Sequence, residues 1–158
     1  GSFASNAFQN TAYSVKGSNF SGTVTLADEK NQANLTFTYP DHLDAKKTVD
    51  VTYSGDLTKT GEFSGNANIG YPNGDSYAGS VSNGQKVNGK YVFKNGDTYT
   101  GTFKADKMCD GSYVFATGQI LTGHFENGIP NGELTYTVSG VNYKTTWQNG
   151  ACVSITKA

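Results

Sequence analysis

The 158-residue chain has no arginine, and all 12 of its basic side chains are lysines. Arginine supplies the planar pair of donors that grips phosphate groups and guanine edges. Together with a net charge of −1, its absence argues against nucleic-acid binding and against specific phosphoinositide binding. No apolar run approaches the length of about 20 residues that a membrane-spanning helix needs.

Residues that build most catalytic and metal sites are also scarce. The chain has two histidines, His42 and His124, and two cysteines, Cys109 and Cys152. Their spacing matches no metal-binding motif, and neither a nucleophile elbow nor a phosphate-binding loop occurs. We therefore expect no enzymatic activity, no cofactor and no metal site.

A repeat with a period of 22 residues is the main positive feature. The segments YAGSV, YTGTF, LTGHF and YKTTW begin at positions 77, 99, 121 and 143. A fixed period of this length is typical of stacked repeat arrays rather than of globular enzymes. Two copies continue into a Gly-x-Tyr-x-Phe segment, at Gly89 and at Gly111.

Each repeat predicts a β-hairpin. Alternation by two places Tyr99, Gly101 and Phe103 on one face of a strand. The central glycine is a poor strand residue, but its bare backbone leaves room for a neighbouring ring. The pair Asn95-Gly96 predicts a tight hairpin turn with positive φ. The predicted fold is all-β, an elongated single-layer twisted sheet of stacked β-hairpins.

The repeat is clear in one part of the chain and weak or absent in others, and this difference divides the chain into three predicted segments. Residues 1–16 carry no repeat and are interpreted as a linker or stalk, and Gly1 with the following serine is typical of a tag remnant. Residues 17–52 are interpreted as a degenerate N-terminal repeat with an inserted loop that contains His42. The main array is predicted over residues 53–158.

These residues resemble the MORN repeat family, whose units carry Tyr-x-Gly-x-Trp/Phe, then Asn-Gly, then Gly-x-Gly. The match is good over residues 75–128 and looser over 53–74 and 129–150. The second glycine of Gly-x-Gly is replaced by Tyr91 and Tyr113. The resemblance implies a non-catalytic scaffold or protein-interaction module that often self-associates.

Aromatic side chains on one face form the candidate binding groove. Tyr91, Phe93, Tyr113 and Phe115 are expected to form one row beside the first-strand aromatics. The rings either pack as the core of the sheet or line an open groove, and the pattern leaves both interpretations open. The candidate groove residues are Tyr77, Tyr91, Tyr99, Phe103, Tyr113, Phe125, Tyr143 and Trp147.

We expect the partner to be a protein or a second copy of the chain, which would form a homodimer. The alternative is a module that binds cell-wall or host glycans through exposed rings. Choline- and glucan-binding repeats rely on paired Trp and Tyr residues, whereas Trp147 is the only tryptophan. The abundance of Asn, Thr, Ser and Lys resembles bacterial surface proteins. It predicts an extracellular or cell-surface location, with a signal or anchor upstream of Gly1.

Overall fold

The computed structural model describes residues 12–27, 30–41, 43–44 and 46–158. These residues form fourteen β-strands and no helix. The strands follow chain order in one open antiparallel sheet, in which the short strand β11 pairs with β10. The prediction of an all-β, open sheet built from successive hairpins is therefore confirmed. The described part of the chain holds no candidate for a membrane-spanning helix.

Two compact units divide the chain, Gly1–Gly84 and Gln85–Ala158. The strands of the first unit are β1 (Ala12–Lys16), β2 (Phe20–Thr25), β3 (Asn31–Pro40), β4 (Thr48–Leu57), β5 (Gly65–Gly70) and β6 (Ser76–Ser82). A row of buried side chains crosses this unit, because successive cross-strand partners are apolar or aromatic: Leu35, Tyr53, Ile69 and Tyr77.

The start of the first unit differs from the predicted segments. Residues 12–16 of the predicted linker form β1 and pair with β2, because Tyr13 and Val15 alternate onto the half-buried face. Residues 1–11 and His42 lie outside the described residues. The predicted boundary between residues 52 and 53 falls inside β4, whose hydrogen bonds to β3 and β5 run across it.

The second unit contains the clearest repeats. Its strands are β7 (Gln85–Val92), β8 (Thr98–Lys104), β9 (Lys107–Val114), β10 (Ile120–Glu126), β11 (Ile129–Pro130), β12 (Gly132–Val138), β13 (Val141–Gln148) and β14 (Ala151–Lys157). Its core consists of Tyr99, Leu121, Phe125 and Leu134. Half-buried aromatic rings pack around these four side chains.

A line of glycines crosses the second unit beneath an aromatic ring. The cross-strand partners on β7, β8, β9 and β10 are Gly89, Gly101, Gly111 and Gly123. A Cβ atom on Gly111 would lie 2.4 Å from the carbonyl oxygen of Thr100 and 2.8 Å from Cζ of Tyr99. The Tyr99 ring therefore covers bare glycine backbone, as the repeat predicted.

Two kinds of turn join the strands of the repeats, and the turn at Asn95-Gly96 is not the tight hairpin turn predicted for it. At Asn95-Gly96 only the glycine has positive φ, 97°, so the chain forms a wider loop closed by Gly96 N donating to the Phe93 oxygen. Tight turns with two successive positive φ angles lie at residues 83–84, 105–106, 127–128, 139–140 and 149–150. Paired positive φ angles define the two-residue turn that matches the twist of the flanking strands.

Candidate functional site

Three of the predicted groove residues belong to the core. Tyr77 is 1% exposed in the first unit, and Tyr99 and Phe125 are 0% and 3% exposed in the second. Such side chains hold the sheet together and cannot present a ring face to a ligand. Among the other predicted groove residues, Tyr91, Phe103, Tyr113 and Trp147 are half-buried around the second core, and Tyr143 is half-buried on β13.

The buried tyrosines share one hydrogen bond that locks the first strand of a repeat. Each hydroxyl donates to the backbone carbonyl three residues later, over 2.6 to 2.7 Å: Tyr53 to Asp56, Tyr77 to Ser80, and Tyr99 to Thr102. The Tyr99 hydroxyl also accepts a bond from Cys109 N at 3.2 Å. Burial raises the pKa of Tyr99 to about 12, so its hydroxyl remains a donor even in moderately alkaline solution.

The last repeat has a different hydrogen bond in place of the one from the tyrosine hydroxyl. Thr145 stands where the other copies have glycine, and its hydroxyl donates to the Leu134 carbonyl at 2.7 Å. The indole nitrogen of Trp147 donates to the same hydroxyl at 2.8 Å. Trp147 is therefore fixed against its own strand while it packs against the second core.

Four half-buried rings in the second unit form a continuous line, which we call the aromatic row: Tyr91, Phe93, Tyr113 and Phe115. Neighbouring ring centroids are 4.8, 5.5 and 5.0 Å apart along this order. These distances are within the range of favourable aromatic pairs. Each ring thus supports the next, and the row forms one apolar surface.

A carboxylate fixes the middle of the aromatic row. The Tyr113 hydroxyl donates to Asp97 Oδ2 at 2.6 Å, and Ala116 N donates to Asp97 Oδ1 at 2.7 Å. The bond from Tyr113, followed by that from Ala116, holds the pKa of Asp97 below its ordinary value. Asp97 therefore ties the loop after β7 to the loop after β9.

A pocket of about 210 Å³ lies beside the aromatic row. We call it the Lys86 pocket; its lining includes Lys86, Tyr91, Phe93, Phe103, Asp106 and Met108. The Lys86 ammonium lies 5.6 Å from the ring centroids of Tyr91 and Phe103 and 2.8 Å from Asp106 Oδ1. Although Lys86 is only 8% exposed, its charge is balanced by this carboxylate and by the two ring faces.

The sequence located part of this site. Tyr91, Phe103 and Tyr113 were expected in the groove and do lie together, whereas Tyr77 lies in the other unit. Lys86 and Asp106 were not expected there, because an alternating pattern gives no sign that a strand lysine is buried. Their pairing depends on a contact between residues 20 positions apart.

The opposite, polar face of the second unit gathers another group that the sequence did not indicate. Donor atoms of Cys109, Asp110 and His124 all lie within 4.8 Å of one another. Cys109 and Cys152 are both free thiols. Sequence spacing could not reveal this group, because it depends on the register of β9 against β10 and on a local irregularity of β9.

Comparisons with known proteins add no assignment. No protein-family model matches the chain, and no curated protein matches it significantly. The resemblance to MORN repeats therefore remains a prediction from the repeated residues.

Proposed function

We propose that the chain is a non-catalytic repeat scaffold that binds a partner protein through the aromatic row and the Lys86 pocket. The observation that carries the proposal is the contact of four half-buried rings beside an apolar pocket. Centres of protein interfaces are enriched in aromatic residues, and a few anchors in pockets supply most of the binding energy.

The size of the Lys86 pocket favours a protein partner over a small molecule. Its volume of about 210 Å³ lies below the roughly 300–1,000 Å³ typical of small-molecule sites. A pocket of this size suits one large apolar side chain of a partner. The aromatic row next to it would then contact the flanking residues of the same segment.

Rigidity further supports a binding role. The rings of the aromatic row pack against the core formed by Tyr99 and Leu121, and the Tyr113 hydroxyl is fixed by Asp97. A surface whose side chains are already ordered loses little conformational entropy when a partner binds. The MORN-like repeats support a scaffold role, and the composition, rich in Asn, Thr, Ser and Lys, supports a place on a bacterial cell surface.

Removing two rings of the aromatic row tests this proposal. Phe93→Ser together with Phe115→Ser is compared with Tyr143→Ser, which removes a half-buried ring outside the row. Circular dichroism confirms that each variant is folded. Both variants and the original chain are screened against displayed peptides and, in parallel, against a glycan array.

We expect the original chain and Tyr143→Ser to enrich peptides with a large apolar anchor, and the double variant to lose them by tenfold or more. If the original chain instead binds glycans, and the double variant loses that binding, the partner is a cell-wall or host glycan rather than a protein. Equal peptide enrichment by the double variant would contradict any role of the aromatic row.

Self-association is a second candidate, favoured by strand β14. All seven of its residues are exposed, and Val153 and Ile155 are 54% and 56% exposed. Edge strands with exposed apolar side chains readily pair with another chain. In sedimentation experiments, Ile155→Lys should reduce any dimer fraction, whereas Ile129→Lys, at a residue 46% exposed outside β14, should not. An equal dimer fraction in both variants would contradict pairing through β14.

A further inference from the structure

Three potential metal ligands converge on the polar face of the second unit. Asp110 on β9 and His124 on β10 are direct cross-strand partners, and His124 Nδ1 lies 3.0 Å from Asp110 Oδ1. Cys109 Sγ lies 3.5 Å from Asp110 Oδ2. The cluster therefore combines one sulfur, one nitrogen and one carboxylate donor within a few ångströms.

A β-bulge brings Cys109 onto this face. The register shifts between Gly101 and Phe103, so Thr102 on β8 is opposed by two residues, Cys109 and Asp110. Neighbours in a regular strand point to opposite faces, but a bulge can turn both towards one face. The Thr102 hydroxyl fixes the bulge by accepting from Asp110 N at 3.1 Å.

A second carboxylate orients the histidine. His124 Nε2 lies 3.3 Å from Glu126 Oε2, while Nδ1 faces Asp110. Metal-binding histidines commonly donate their other ring N–H to a carboxylate, which sets the tautomer and the ring orientation. Glu126 can play this positioning role and leave Nδ1 to bind a cation.

We propose that Cys109 Sγ, Asp110 and His124 Nδ1 form a binding site for Zn²⁺ or a similar borderline-soft divalent cation. Sulfur, imidazole and carboxylate donors are the set that zinc prefers, whereas Mg²⁺ and Ca²⁺ prefer oxygen alone. Zinc bonds of about 2.0–2.3 Å bring tetrahedral ligands within roughly 3.3–3.8 Å of one another, so small side-chain rotations close the site. Water supplies the fourth ligand, and binding releases the thiol proton to solvent.

Access to the site is open. The side chains of His124 and Asp110 are 43% and 68% exposed, so a hydrated cation reaches the donors directly. The site faces away from the aromatic row, and its occupation does not depend on the function proposed above.

Titration of the full chain with Co²⁺ and then Zn²⁺, with the thiols kept reduced, tests the proposal. Co²⁺ bound to Cys109 produces a thiolate-to-cobalt absorption band. Added Zn²⁺ should displace the Co²⁺ and remove the band, with one Zn²⁺ bound per chain. Cys109→Ser should abolish the band. Cys152→Ser, which removes the other free cysteine, should leave the band and the Zn²⁺ affinity unchanged.

Two further variants keep the test decisive if Cys109→Ser folds poorly. His124→Gln should weaken Zn²⁺ binding at least tenfold, and Glu126→Gln should weaken it about 10- to 100-fold as the loss of an orienting partner does elsewhere. An absent cobalt band in the original chain, or equal Zn²⁺ affinity in the original chain, Cys109→Ser and His124→Gln, would overturn the proposal. That result would assign the cluster to an ion pair between His124 and its two carboxylates.

Discussion

At the scale of single residues, several polar side chains of the described strands have a hydrogen-bond partner on a neighbouring strand. Asp56 in the first unit is the clearest case, because it is 3% exposed on a strand. It accepts hydrogen bonds from Lys30 Nζ at 2.9 Å, Gln32 Nε2 at 2.5 Å and Asn66 N at 2.8 Å. A buried carboxylate with this set of donors stabilises the fold only while it is charged.

The pH dependence of stability tests the role of Asp56. Burial acts to raise the pKa of Asp56, but the bonds from Asn66, Lys30 and Gln32 outweigh it and lower the pKa below its ordinary value of 3.8. The stabilisation is therefore present above that value and is lost as the pH falls through the lowered pKa of the folded state.

Urea unfolding of the original chain and of Asp56→Asn measures this contribution. We expect the variant to lose about 1.5–3 kcal/mol of unfolding free energy at neutral pH, and the gap to shrink in acid below the ordinary pKa. An equal difference in unfolding free energy between the two proteins at neutral and at acid pH would show that the charge of Asp56 does not contribute to stability.

At the scale of the element, hairpins depend on the conformation of two turn residues. Asn83, Asn127 and Asn149 occupy the first position of tight turns with φ between 50° and 54°, an angle that asparagine tolerates well. Ala105 adopts the same angle, 50°, without a side chain that favours it. Its turn is retained because Asp106, the second turn residue, bonds to Lys86.

Ala105→Asn is expected to stabilise the second unit by about 0.5–1 kcal/mol, because it relieves an unfavourable positive φ. Ala116→Asn is the matched control, since Ala116 is exposed in a loop and has no positive φ; its effect should stay within about 0.5 kcal/mol. Unfolding in urea measures both. No gain at Ala105, or an equal gain at Ala116, would contradict strain at this turn.

The strands and turns also show which features of the fold can be predicted from the sequence and which cannot. Period-two alternation placed Tyr99 and Thr100 on opposite faces of the strand, because strand geometry allows only that arrangement, but it did not decide whether the face with Tyr99 is core or open groove. The turn at Ala105 and the bulge at Cys109 were not predictable, because neither has a glycine or asparagine signal. The Lys86 pocket and the Cys109 cluster arise from cross-strand register, which short-range pattern does not encode.

At the scale of the whole molecule, each compact unit has a core of its own. The second unit buries Tyr99, Leu121, Phe125 and Leu134 in one cluster, and the cluster members that the structure describes all lie within residues 85–158. Repeat proteins gain stability from contacts between neighbouring repeats rather than from distant parts of the chain. Three or more such repeats are generally enough for an ordered array.

Residues 85–158 expressed alone should therefore fold cooperatively. Trp147 is the only tryptophan of the chain and lies beside the second core, so its fluorescence reports the unfolding of this unit. We expect a sigmoidal thermal transition by both fluorescence and circular dichroism. A gradual, non-cooperative change in both signals would contradict an independent core.

The central claim is that tyrosine rings seated on bare glycine backbone hold the hairpins together and keep the aromatic surface rigid. A double-mutant cycle between Tyr99→Leu and Gly111→Ala tests it most directly, because a Cβ on Gly111 would lie 2.8 Å from Cζ of Tyr99. Gly111→Ala should cost about 1–3 kcal/mol in the original chain. The part of this cost that falls on the ring, about 1 kcal/mol, should disappear in the Tyr99→Leu background, whereas the part due to the Thr100 carbonyl oxygen, 2.4 Å from the added Cβ, remains. Unfolding costs that simply add, within about 0.5 kcal/mol, would contradict the claim.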